Sequence, residues 1–149
     1  MIDVKHTERS HVRISFGGTV HKSYFGAGAR ERMENEIKVL EYLTQRRCPF
    51  VPRLVDVDRR ELTIEMTQCG YPVQQIGDEK LSDLFEELMQ FGVDHKDRHV
   101  RNVTYHSATG WFFIVDFEFA DICEVPSLYR LDALQRLIAD ELAGLNDLY

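Results

Sequence analysis

The sequence is poor in cysteine, proline and tryptophan. Its three cysteines, Cys48, Cys69 and Cys123, are odd in number and show no Cys-x-x-Cys spacing. That pattern argues against a disulfide framework, and they read as reduced core thiols of a cytoplasmic protein. No apolar run approaches the ~20 residues needed to cross a membrane. The opening stretch MIDVKHTERS lacks the apolar core of a signal peptide. An excess of positive charge is also missing: 18 basic against 25 acidic residues give a formal charge of −7. The balance argues against a general nucleic-acid binder, and no DNA-binding motif is present. It leaves room for an anionic ligand held by a local basic cluster. Low-complexity tracts and internal repeats are absent.

What is present suffices for a core. Apolar residues make up 44% of the chain, and the 149 residues suit one compact unit of one or two lobes. Residues 11–16 alternate, with Val12, Ile14 and Phe16 on one face of a strand. Gly17-Gly18 makes a turn into a second strand over 19–25. Residues 29–43 read as a helix with Met33, Ile37, Leu40 and Leu43 inward. Two further strands fall at 53–58 and 61–68, the second alternating Leu62, Ile64 and Met66. Residues 69–77 are irregular. Asp78 then caps a helix running to Phe91, with Leu81, Leu84, Phe85 and Leu88 inward and Gly92 as its stop. A polar loop over 94–102 leads to a hairpin at 103–105 and 111–115. A last amphipathic helix carries Leu131, Leu134, Ile138, Leu142 and Leu145. The fold class is α+β, with a mainly antiparallel sheet in the first half.

Chemistry concentrates in a few charged residues. Asp97, Asn102 and Asp116 each lie at the edge of a strand or loop, where side chains converge. Their oxygens are hard ligands suited to Mg²⁺, and a further carboxylate nearby can accept a proton from a hydroxyl. Taken singly, such residues commonly just stabilise loops. Asp116 stands out because it sits inside the apolar run Trp-Phe-Phe-Ile-Val-Asp-Phe, where an unpaired carboxylate is costly. Lys22 is in phase with Val20 and Tyr24. It either meets an anionic partner on the inner face or snorkels to water at a twisted edge. Glu36 borders the apolar stripe of its helix and is positioned to meet Lys22, although helix glutamates are usually solvated. His95 and His99 flank Asp97, but further zinc ligands at suitable spacing are lacking.

In order, these residues resemble the protein-kinase-like superfamily. His95-Lys96-Asp97-Arg98-His99-Val100-Arg101-Asn102 is similar to its catalytic loop, H-x-D-x-x-x-x-N. Ile114-Val115-Asp116-Phe117-Glu118 is similar to its metal-binding Asp-Phe-Gly element. The resemblance implies a two-lobed fold and an ATP-dependent kinase using Mg²⁺. Asp97 would be the catalytic base, Asn102 and Asp116 the metal ligands, and Lys22 the phosphate-gripping lysine held by Glu36. Ile64-Glu65-Met66-Thr67 matches the end of the strand leading to the hinge, so adenine would bond backbone groups near Glu65 and Thr67. His99 and Glu118 resemble the aminoglycoside and choline kinase branch.

The implied organisation is an N-lobe over 1–68, a hinge over 69–77 and a reduced C-lobe over 78–149. The phosphate loop would fall near Thr7-Glu8-Arg9-Ser10-His11, which contains no glycine, so Ser10, backbone amides and Arg9 would meet the phosphates. Few residues follow Glu118, and Glu124-Val125-Pro126 is not the Ala-Pro-Glu element. The acceptor site is therefore expected to be open or completed by another chain, with self-association through the reduced C-lobe. The acceptor is expected to be a hydroxyl of a small alcohol, an amino sugar or a protein. Two alternatives stand beside this reading: a catalytically weak or inactive nucleotide-binding scaffold, and an interaction protein that binds no nucleotide.

Overall fold

A computed structural model describes residues 1–123, and the expected last helix lies outside the described residues. The chain begins with an antiparallel meander, β1 (Ile2–His6), β2 (Ser10–Ile14) and β3 (Thr19–Tyr24). β2 ends at Ile14, earlier than the alternation suggests. Ser15 bonds both the backbone and the hydroxyl of Thr19, which starts the turn there and leaves Phe16 95% exposed rather than on the inner face. Gly18 closes this turn at φ +83°, a conformation that suits a residue without Cβ.

Helix α1 (Ala29–Gln45) buries the expected stripe of Met33, Ile37, Leu40 and Leu43. The hairpin of β4 (Leu54–Asp58) and β5 (Thr63–Thr67) then joins the meander. The sheet order is β1-β2-β3-β5-β4, with every pair antiparallel. Ile64 and Met66 point into the core, whereas Leu62 precedes the strand at positive φ and is only half-buried.

The segment 69–77 contains the short β6 (Tyr71–Pro72), which pairs with β8 (Val103–His106). β8 pairs in turn with β9 (Trp111–Ile114), so the expected hairpin forms and gains a third strand. Helix α2 (Asp78–Gln90) buries Leu84, Phe85 and Leu88. Its cap residue is Gly77; Asp78 is the first helical residue and makes no side-chain cap bond. There it still opposes the positive end of the helix dipole. β7 (Val93–Asp94) pairs with β10 (Asp121–Ile122) and closes the loop between them.

The described residues thus form an α+β structure of antiparallel sheets and two α-helices. One apolar cluster runs through it, joining Met33, Leu40 and Ile64 to Phe85, Leu88, Val103, Ile114 and Phe117. Each such side chain contributes about 1.5–3 kcal/mol on burial, so the first sheet and the later elements stabilise each other. Among the described residues no helix is long and apolar enough to cross a membrane.

Gly70 lies where the two parts meet. Its φ is +86°, and a Cβ there would come 2.1 Å from the backbone oxygen of Tyr105. Gly70→Ala is expected to lower stability by about 2–4 kcal/mol, combining left-handed strain with a clash against backbone. Urea unfolding of the variant beside wild type measures this.

Candidate functional site

The site is built around one helical face. Arg32, Asn35 and Glu36 are three and four residues apart on α1, so their side chains project together. Glu36 is fully buried and accepts from three directions. Lys22 Nζ lies 2.7 Å from Oε1, the Tyr24 hydroxyl donates to the same oxygen, and the Phe117 N–H reaches Oε2 at 2.6 Å. Asn35 Nδ2 donates to the carbonyls of Glu118 (3.0 Å) and Ala120 (2.9 Å). Arg32 donates to Glu118 Oε1 at 2.6 Å and to the carbonyls of Arg9, Phe25 and Ala27. One helix turn therefore holds both the 116–120 segment and the turn between β1 and β2.

Lys22 does face inward with Tyr24, and its side chain is only 3% exposed. Its ammonium also lies 3.2 Å from Asp116 Oδ1 and 3.6 Å from Glu118 Oε2. Burial alone would lower its pKa, but Glu36, Asp116 and Glu118 outweigh that and raise it, so Lys22 stays charged. Burial and the neighbouring Glu36 push the Tyr24 hydroxyl up, keeping it a donor.

Asp116 has φ +66°, a left-handed conformation that a short polar residue tolerates. The turn aims its carboxylate between two lysines, with Lys5 Nζ 3.1 Å from Oδ2. Burial would raise its pKa, yet Lys22 and Lys5 hold it well below the usual carboxylate range. Glu118 behaves oppositely. Burial and the charges of Asp116 and Glu36 prevail over Lys22 and Arg32, and its pKa is raised.

The Val115 N–H bonds the Asn102 carbonyl at 2.9 Å, which brings Asn102 beside Asp116 along the chain. Asn102 Nδ2 donates to the backbone oxygen of Asp97 (2.9 Å) and to its Oδ2 (3.0 Å). Arg101 donates to both Asp97 oxygens, at 2.6 and 2.7 Å. Partial burial would raise the Asp97 pKa, but the bonds from Arg101 and Asn102 bring it below the ordinary value. His95 is packed between Phe85 and Phe117, each ring 5.2 Å away. Its Nε2 reaches the Val115 carbonyl at 3.0 Å, and its Nδ1 accepts from the Asp97 N–H at 3.3 Å. A carbonyl can only accept and an amide only donate, so the proton sits on Nε2. His95 thereby couples the backbone next to Asp116 to the backbone at Asp97.

Lys22, Glu36, His95, Asp97, Arg101, Asp116 and Glu118 border a cleft with two ends, whereas the buried Asn102 lines neither end. The apolar end, about 90 Å³, is bounded by Val12, Ile14, Val20 and Met66, with Val115 also in its wall. The polar end, about 220 Å³, is bounded by Thr7, Arg9, Ser10, Asp97 and Glu118. Lys5, Arg101 and Asp116 border both.

The expected residues Lys22, Glu36, Asp97, Asn102 and Asp116 are thus gathered, and buried Ser10 stands at the polar end. Three are placed differently. Glu65 is paired on both sides within the sheet, by His21 and Asp56, and its carboxylate takes the Thr19 hydroxyl at 2.7 Å. The Thr67 N–H is taken by the Arg53 carbonyl at 2.9 Å, although Thr67 does border the apolar end. Cys69 and Gly70 follow it in the wall of the apolar end. His99 is exposed, and its Nδ1 caps the 3-10 turn Val100–Asn102 by accepting from the Arg101 N–H. Lys5, Tyr24, Arg32, Asn35 and Arg101 are additional participants. The spacing of Arg32, Asn35 and Glu36 was the available signal for the helix residues, and the i, i+2 relation to Lys22 for Tyr24.

The donor set suits a hard divalent cation. Asn102 Oδ1 is buried without a hydrogen-bond partner, and the Val115 N–H ties the Asn102 backbone next to the ionised Asp116. Among the described residues no three His, Cys, Asp or Glu side chains form a metal cluster. Mg²⁺ does not require one, because it takes few protein ligands and completes its shell with water and phosphate. Burial raises the Cys69 thiol at the apolar end to about 12, which disfavours its thiolate. No family model matches the chain, and no curated protein matches it significantly.

The Asp116 pKa carries a pH prediction. A depressed carboxylate contributes stability that is complete above its ordinary value of 3.8 and is lost as pH falls below it toward the folded value. The raised Glu118 acts in reverse, removing stability as pH rises through and above its ordinary 4.5. Asp116→Asn should therefore flatten the decline below pH 3.8, while Glu118→Gln should remove the loss above pH 4.5. Denaturation midpoints measured from pH 2 to 7 test both signs.

Proposed function

We propose that this chain is an ATP-dependent phosphotransferase with a two-lobed protein-kinase-like fold, moving the γ-phosphate to a hydroxyl acceptor. The observation that carries the reading is the buried Lys22–Glu36 pair directed at Asp116. Desolvation offsets most of what such a buried pair adds to stability, so its position in the cleft wall supports a role in holding an anionic ligand.

The purine would occupy the apolar end, against Val12, Ile14, Val20 and Met66, and reach backbone groups between Gln68 and Gly70. The triphosphate would extend from Lys22, in the wall of the apolar end, to the polar end, where the side chains of the Thr7–Ser10 turn would meet it. Asn102 Oδ1 and Asp116 would hold Mg²⁺, which would neutralise charge on the phosphates. Asp97 faces the polar end and would orient the acceptor hydroxyl. As the acceptor oxygen bonds to the γ-phosphorus, the bond to the ADP oxygen breaks and the hydroxyl proton passes to Asp97. Its lowered pKa suits late proton transfer and positioning better than early deprotonation. His95 supports Asp97 by holding its backbone amide.

Nucleotide binding without turnover is a second reading, favoured by one observation: Arg101 occupies both Asp97 oxygens. Phosphorus NMR of ATP with Mg²⁺ and a panel of alcohols, amino sugars and protein acceptors separates the two. Phosphotransfer predicts a new phosphate ester and a fall of about 10²–10⁴-fold in its rate for Asp97→Ala. ATP binding with no transfer to any acceptor would support the second reading.

A further inference from the structure

The turn between β1 and β2 has no glycine, yet the preceding strand brings a lysine into the cleft. In a regular β1, Ile2, Val4 and His6 would share one face and Lys5 would point away. The ladder breaks this alternation. Ile2 pairs with Ile14 and Asp3 with Arg13, but Lys5 pairs with Val12, so Val4 has no opposite residue. That is a β-bulge, which turns the side chains beyond it to the other face. Val4 and Lys5 consequently both border the cleft, and Lys5 lies opposite Val12, another of its wall residues.

The ammonium of Lys5 differs from that of Lys22 in freedom. Lys22 is 3% exposed and tied to Glu36, whereas Lys5 is 32% exposed and pairs only with Asp116 among the described residues. A cation held by Asp116 and Asn102 would repel it from Asp116. The polar end, which Lys5 also borders, offers the position for its new partner.

We infer that Lys5, aimed inward by the bulge at Val4, is a second phosphate-binding lysine that takes over the role of a glycine-rich loop for a metal-bound nucleotide. The inference rests on the proposed nucleotide site. Lys22 holds the phosphates from the inner wall, and Lys5 moves from Asp116 to the phosphates when the metal arrives. A side-chain ammonium makes glycine unnecessary in the turn, because the backbone need not approach the phosphates closely.

The test is calorimetric titration of wild type, Lys5→Met and Lys5→Arg with MgATP and, separately, with adenosine. A charge-assisted contact predicts that Lys5→Met weakens MgATP binding by about 10- to 100-fold. Adenosine affinity should stay unchanged, and Lys5→Arg should retain most of the MgATP affinity. Manganese titration without nucleotide should show tighter metal binding in Lys5→Met, since a competing cation has been removed. Equal MgATP affinity in wild type and Lys5→Met would overturn the role of Lys5 while leaving the nucleotide site standing. Equal losses for MgATP and adenosine would make Lys5 a structural residue. Failure of wild type to bind either ligand would overturn the nucleotide site and this inference together.

Discussion

The buried carboxylate of Glu36 is the constraint on which the site depends. It is received by the Lys22 ammonium, the Tyr24 hydroxyl and the Phe117 N–H. A carboxylate taken fully out of water is tolerable only when its oxygens are satisfied in this way. Because those donors come from β3 and from the segment after β9, satisfying Glu36 fixes the distance between them. Arg32 and Asn35 extend the same constraint to Glu118, Ala120 and the Arg9 carbonyl. A polar face of α1 thus becomes the part that aligns the cleft.

Around this anchor the charges are unequal in burial and freedom. Lys22 cannot leave Glu36 without exposing a buried anion, so it is a fixed positive point. Asp116 is shared between Lys22 and Lys5, which keeps it ionised and available to a stronger cation. Glu118, deeper among like charges, resists ionisation. Asp97 sits at the edge with Arg101 on it, while His95 holds its backbone. Under the proposed function, the arrangement would separate groups that stay still from groups that exchange partners when a charged ligand enters.

Much of this was legible where one period governs a segment. The helix stripe from Met33 to Leu43 and the inward phase of Lys22 follow from regular repeats. Asp116 was conspicuous because a carboxylate interrupts an apolar run. The remainder depended on irregular backbone. A bulge at Val4 reverses the facing of Lys5, and alternation alone gives no sign of it. A turn beginning at Ser15 removes Phe16 from the sheet face. Arg32 and Asn35 look like solvated helix residues until the 116–120 segment is placed against them. Nothing in the sequence signals the local partners of Glu65 and His99: the Glu65 carboxylate takes the Thr19 hydroxyl, and His99 Nδ1 caps a 3-10 turn.

The central claim is that this anchored cluster builds a metal-dependent nucleotide site. Calorimetric titration of ATP, with and without Mg²⁺, into wild type and Asp116→Ala tests it most directly. The account predicts that Mg²⁺ strengthens ATP binding to wild type and that Asp116→Ala abolishes this dependence, whatever affinity remains. ATP binding by wild type that is indifferent to Mg²⁺, or a Mg²⁺ effect of equal size in both proteins, would contradict it.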